Sequence, residues 1–190
     1  MYLKLGIMCA SYPGNLEVNE SSKIVIEALT MKPYTFVKGS GVDGTMGLVE
    51  EAAREKGRAI LSVGNPFELS RSTADIKIPV KSTFERLEKI YENSDIIIFL
   101  DGGTGTLSEF LSFLNNKIET EGDKPLILYN PNGIYNFLLK DLEQKKRLDL
   151  IKYNYKEYFD EAKNLNDLAY YLEKYENKFN RESDERRKVR

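Results

Sequence analysis

A Rossmann-like α/β domain, with a mostly parallel sheet and helices on both faces, is the fold class this chain predicts, and three observations carry it. Short apolar runs rich in β-branched residues alternate with segments of helical period, the pattern of strand–helix–strand units. Two hand-overs from strand pattern to helix pattern are glycine-rich turns, Gly39-Ser40-Gly41-Val42-Asp43-Gly44 and Gly102-Gly103-Thr104-Gly105. The length, 190 residues, suits one such domain with a sizeable core. Residues 1–178 are read as that domain, and 179–190 as a charged, flexible tail.

The elements follow in order. Residues 1–8 read as a first strand, followed by the polar turn Ser11-Tyr12-Pro13-Gly14-Asn15. Ile24, Ile26, Ala28 and Leu29 mark a helix, and Tyr34-Thr35-Phe36-Val37 a second strand. The Gly39 loop then feeds a helix through Met46, Leu48, Val49, Ala52 and Ala53, stopped at Gly57. Ala59-Ile60-Leu61-Ser62-Val63 is a third strand, and residues 67–74 read as a loop. Residues 75–80 alternate like an edge strand, where Pro79 is tolerated. Residues 82–91 are helical, with Phe84, Leu87, Ile90 and Tyr91 on one face. The apolar run at 96–100 is a buried strand, and Leu107, Phe110, Leu111 and Leu114 place a helix behind it. A strand at 125–129, a helix at 134–142, a weaker strand near Tyr158-Phe159 and a helix at about 166–175 complete the pattern.

Composition narrows the chemistry. The net charge of −2 implies no broad basic face for nucleic acid. No apolar run approaches the roughly 20 residues of a membrane helix, and the first strand lacks the cationic flank of a signal peptide. A single cysteine, Cys9, excludes an internal disulfide and fits a reducing cytoplasm. The chain has no histidine, which removes Ser-His and Cys-His dyads and every histidine-ligated metal site. Acid–base work therefore falls to carboxylates, Lys, Tyr or water.

The central turn is where chemistry concentrates. Glycines at 102, 103 and 105 let a ligand approach backbone N–H groups closely. The helix opening near Thr106 adds unpaired donors and the positive end of a dipole, so the turn suits a phosphate. Glu109 follows one turn in, beside whatever that phosphate carries. The Gly39 loop fits G-x-G-x-x-G, but it follows the second strand, and the acidic residue expected about 20 positions on is missing. It reads better as a second wall of one nucleotide cleft, or as close helix–strand packing. Neither turn is a P-loop.

Asp101-Gly102-Gly103-Thr104-Gly105-Thr106-Leu107-Ser108-Glu109 resembles the P-G-G-x-G-T-x-x-E signature of the lonely guy (LOG) family. Its members are cytokinin-activating phosphoribohydrolases, often labelled lysine decarboxylases. The family's companion arginine, fifteen residues before the motif, is matched by Arg86. Gly44-Thr45-Met46-Gly47 is similar to the family's G-L-M-G, and Asp123-Lys124-Pro125 and Asn132-Gly133-Ile134-Tyr135-Asn136 resemble later segments. Four positions depart from the pattern. Asp101 stands for proline, Phe84 and Leu87 for the histidine and lysine flanking the arginine, and Thr104 for a common tyrosine. An Asp ~4 Å from a phosphate would cost about 1 to 4 kcal/mol depending on screening. Asp101 is therefore expected to face away or to bind a sugar hydroxyl.

The resemblance implies a nucleoside 5′-monophosphate phosphoribohydrolase that releases free base and ribose 5-phosphate, uses no cofactor or metal, and forms a homodimer. Glu109 and Arg86 are the expected catalytic pair. Gly102, Gly103, Thr104, Gly105 and Thr106 are expected to hold phosphate, with Ser11, Gly39, Ser40, Gly41 and Met46 around the rest of the substrate. The aromatic positions Tyr12, Phe84, Tyr129 and Tyr135 are left without a role. Two alternatives stand beside this reading. One is a nucleotide-binding sensor or cofactor carrier on the same fold; the other is a dinucleotide-dependent oxidoreductase using the Gly39 loop. Nothing in the sequence places a lysine for Schiff-base decarboxylation.

Overall fold

Apolar strands with little polar alternation need cover on both faces, and the chain supplies it with helices. The computed structural model describes residues 2–188, with side chains through 181. Among the described residues seven strands, all parallel, lie in the order β4-β3-β2-β1-β5-β6-β7. They are β1 (Lys4–Met8), β2 (Thr35–Gly39), β3 (Ile60–Gly64), β4 (Ile76–Pro79), β5 (Ile96–Phe99), β6 (Leu126–Tyr129) and β7 (Asp160–Ala162). The helices are α1 (Leu16–Thr30), α2 (Gly44–Glu55), α3 (Pro66–Arg71), α4 (Thr83–Glu92), α5 (Thr104–Glu119), α6 (Asn136–Arg147) and α7 (Leu165–Lys188). The strand order runs outward from β1 in one direction and from β5 in the other. The space above their carboxyl ends is therefore the switch point at which open α/β sheets bind ligands.

Two apolar cores flank the sheet. On one face α1, α2 and α7 bring Val25, Ile26, Leu29, Val49, Ala53, Leu168 and Leu172 onto Leu5, Ile7, Phe36 and Ile98. On the other, α4, α5 and α6 bring Ile90, Phe110, Phe113, Leu114 and Leu142 onto Val37, Ile97, Phe99 and Leu128. Alternation along each strand sends successive side chains to opposite cores. Phe110 anchors α5, meeting Phe99 edge-on at 5.1 Å and Phe159 at 5.2 Å.

Several elements differ from the periodicity reading. The expected loop at 67–74 contains α3, opened by Asn65, whose side chain accepts from Glu68 N–H, and by Pro66 in the first turn. Phe84 leaves its expected apolar face and is 84% exposed, while Ile90 is fully buried. The last strand falls at Asp160–Ala162, just past Tyr158-Phe159, because a 3₁₀ turn occupies Tyr155–Glu157. β4 is one of the two edge strands, a position that suits Pro79. Helix α7 continues to Lys188, past the expected end near 175. The side chains from 182 on and residues 189–190, most of the expected tail, lie outside the described residues.

Since Phe110 holds α5 against β5, Phe110→Ala should cost about 3 to 5 kcal/mol of stability. At 2 to 4 °C per kcal/mol this lowers the melting temperature by roughly 10 °C, read by circular dichroism.

Candidate functional site

Helix α5 begins without a side-chain cap: Gly103 occupies the N-cap position in extended conformation. The N–H groups of residues 102–106 have no hydrogen-bond partner among the described residues, and Leu107 N–H is the first to bond back, to Gly103 O at 3.1 Å. Gly102 must be glycine, because a Cβ there would lie 2.1 Å from Thr106 Oγ1. Above Gly103 and Gly105 the space is open, with nothing within 4 Å of a built Cβ. A row of free donors thus faces an open volume at the positive end of a helix.

Glu109 lies four residues after Gly105 and three after Thr106, on the same side of α5. Its side chain is 7% exposed, and Arg86 Nη2, from α4, donates to its Oε1 at 3.4 Å. Burial pushes the carboxyl up to about 7, and Arg86 opposes that rise. Arg86 Nε is buried and has no partner among the described residues. Two helices on one face of the sheet therefore bring an acid and a cation together beside the open turn.

Asp101 is also buried, 3% exposed. Its Oδ2 accepts from Asn132 Nδ2 at 2.8 Å, and its Oδ1 has no partner among the described residues. Burial raises its pKa and the Asn132 bond lowers it. The carboxyl is thus tied to the β6–α6 loop rather than to its own turn.

The second glycine loop is joined to this turn through Ala10. Ala10 N–H donates to Asp101 O at 3.2 Å, and Ala10 O accepts from Met46 N–H at 3.1 Å. Met46 packs against the loop; a Cβ at Gly41 would lie 2.7 Å from its sulfur. The Ser40 hydroxyl turns to Glu68, so what this residue leaves free is its N–H. Gly39 O faces the interior, accepting from Lys38 Nζ at 3.1 Å, and Ser11 is exposed on the turn after β1. The buried Cys9 at the floor is pushed up to about 12 by burial and stays a thiol. Among the described residues no three His, Cys, Asp or Glu side chains are grouped to hold a metal, and no helix is long and apolar enough to cross a membrane.

The family described as "Possible lysine decarboxylase" matches residues 46–172, most of the chain. This protein belongs to that family, the LOG proteins. A relative from Arabidopsis thaliana named cytokinin riboside 5′-monophosphate phosphoribohydrolase is 30% identical, over 92% of this chain and 78% of its own length. A relative of the same name from Mycobacterium tuberculosis is 30% identical, over 70% of this chain and 74% of its own. Among solved structures, the molybdenum cofactor binding protein of Rippkaea orientalis has a TM-score of 0.66 at 18% identity, covering 92% of this chain and 97% of that one. That likeness establishes the shared fold.

Three participants of this LOG-family cleft were not singled out from sequence. Asn132 holds Asp101, Glu68 takes the Ser40 hydroxyl, and Lys38 sits under the second loop. Asn132 stood in a segment that resembles the family without a role assigned to it, and Lys38 left a signal as a lone cation closing an apolar strand just before a glycine loop.

The Glu109 carboxyl keeps its proton to higher pH in the folded protein than the ordinary value of 4.5 allows in the unfolded chain. Between those values the folded state binds more protons, so this group makes stability fall as pH rises. Glu109→Gln removes that slope. Its unfolding free energy relative to the parent should rise by about 3 kcal/mol from pH 4.5 to pH 8 in urea titrations.

Proposed function

We propose that the chain is a nucleoside 5′-monophosphate phosphoribohydrolase, breaking the N-glycosidic bond to release free base and ribose 5-phosphate. The observation that carries this is the buried Glu109 carboxyl, 3.4 Å from Arg86 and one turn behind free helix N–H groups. A 5′-phosphate on residues 102–106 would leave the sugar facing Glu109. As the glycosidic bond breaks, the base departs with the bonding pair and takes a proton from solvent. The sugar becomes oxocarbenium-like, as in glycoside hydrolysis, and the Glu109 carboxylate stabilises it. A water then bonds C1′ and gives its proton to Glu109. Arg86 holds that carboxylate in place. Phosphate binding far from the reacting atoms is used to position them.

The family's cytokinin substrate does not transfer automatically, because Asp101, Phe84, Leu87 and Thr104 replace residues around the phosphate and base. Homodimer assembly is part of the same proposal; Phe84, 84% exposed beside Arg86, offers an apolar group for it.

The test is base release from a panel of adenine, N6-modified adenine and cytosine monophosphates, followed by chromatography. Turnover of at least one is expected; none, with the fold intact, overturns the proposal. Glu109→Gln should lower kcat about 10²- to 10⁴-fold with ligand binding retained. Unchanged binding with no turnover in the parent itself would point to a carrier instead.

Only ionised Glu109 can accept the water's proton. The kcat/KM profile should therefore rise with pH through the Glu109 value of about 7 and flatten above it. A profile falling through that range would assign Glu109 the opposite, proton-donating role.

A further inference from the structure

Outside the Glu109–Arg86 pair, the most fully bonded charge lies beneath the second glycine loop. Lys38, near the end of β2, has no exposed surface. Its Nζ donates to Gly39 O at 3.1 Å, to Gly41 O at 2.7 Å and to Glu50 Oε2 at 2.9 Å, one acceptor for each proton. Glu50, on α2, is equally committed. It accepts from the Ser72 hydroxyl at 3.0 Å, from the Thr73 hydroxyl at 2.6 Å and from Thr73 N–H. A buried ion pair is seldom the cheapest way to fill space under a helix, so the reason for it lies in what the ammonium does.

What it does is turn two peptide planes. None of the described peptide bonds is cis, so the carbonyl of one residue and the N–H of the next point opposite ways. Lys38 draws the Gly39 and Gly41 carbonyls inward, with Ser62 Oγ a second donor to Gly39 at 3.3 Å. The N–H groups of Ser40 and Val42 are thereby turned away from the ammonium. Neither has a hydrogen-bond partner among the described residues, although Ser40 is only 1% exposed. Backbone donors left unpaired at buried positions are rare and costly. These two stand at the carboxyl end of β2, next to β1, across that strand from the α5 turn.

We infer that Lys38 is a positioning residue: through the Gly39 and Gly41 carbonyls it aims the Ser40 and Val42 N–H groups at an oxygen acceptor of the ligand whose phosphate lies on the α5 turn. The inference rests on the proposed sugar-phosphate ligand and deepens it. Two strand spacings separate β2 from β5, about 10 Å. A free phosphate cannot reach both sets of donors, whereas a phosphate carrying a sugar can.

Calorimetric titration of the full chain with ribose 5-phosphate and with inorganic phosphate separates the possibilities. Lys38→Met alone would strand the Glu50 charge, so the variant is Lys38→Met with Glu50→Gln. Val42→Pro is the second, since it deletes one donor and leaves Lys38 and Glu50 in place. Each should weaken ribose 5-phosphate binding about tenfold or more while inorganic phosphate changes less than about threefold. A melting curve confirms that each variant is folded. An equal loss for both ligands would assign Lys38 to general stability and overturn the inference. So would unchanged binding, or a parent that fails to bind ribose 5-phosphate. Base release is measured separately. A parent with Lys38-dependent ribose 5-phosphate binding and no base release would refute the hydrolase reading alone.

Discussion

The arrangement depends on a carboxyl held out of water beside a single guanidinium. Glu109 could have been a surface acid, and near a helix N-terminus an exposed carboxylate would titrate low. Instead α4 and α5 close over it on one face of the sheet, and desolvation outweighs the charge of Arg86 at 3.4 Å. The result is an acid poised near neutrality, able to take and return a proton where histidine would ordinarily serve. A chain with no histidine has few other ways to obtain such a group. The cost appears as stability lost when Glu109 ionises.

That carboxyl has meaning only relative to the donors around it, and the strand order supplies them. Because β1 lies between β2 and β5, the loops leaving β2 and β5 face one another across the β1 turn. Ala10 spends both of its backbone groups on tying them together, its N–H on Asp101 and its C=O on Met46. The two loops are therefore set relative to each other by main chain, which no side-chain substitution at residue 10 would easily disturb.

How much of this was legible follows from how local each signal is. Thr106 and Glu109 lie three residues apart, so helical geometry alone puts them on one side of α5, and Gly102 lies in the turn just before it. The inner strands could be read because they are short, largely apolar runs, and β4 carried its edge position in Pro79, whereas β7, Asp160–Ala162, is not apolar and falls just past the expected Tyr158-Phe159. Helix α3 was missed because six residues are too few to show a period, although Asn65-Pro66 is a start signal. Phe84 misled because helical spacing does not say which of two neighbouring stripes faces the core. Asn132 and Asp101 meet across loops 31 residues apart, and Lys38 and Glu50 across a strand and a helix. No periodicity encodes such pairs; only the topology brings them together.

Asp101 illustrates how the same atoms can serve or obstruct a site. An aspartate shortly before a helix is well placed to accept from that helix's first N–H groups and to favour its dipole. Had Asp101 done so, it would have occupied the donors that make the turn useful. Asn132 prevents this by holding Oδ2 at 2.8 Å, away from residues 102–106, whose N–H groups stay free. The remaining oxygen, Oδ1, is buried without a partner among the described residues, and Glu17 adds a like charge nearby. Burial raises the pKa of the Asp101 carboxyl, and the Asn132 bond opposes that rise. The repulsion an aspartate here would exert on an anion at the turn is thus eased by a tether that turns the carboxyl aside and by burial that raises its pKa.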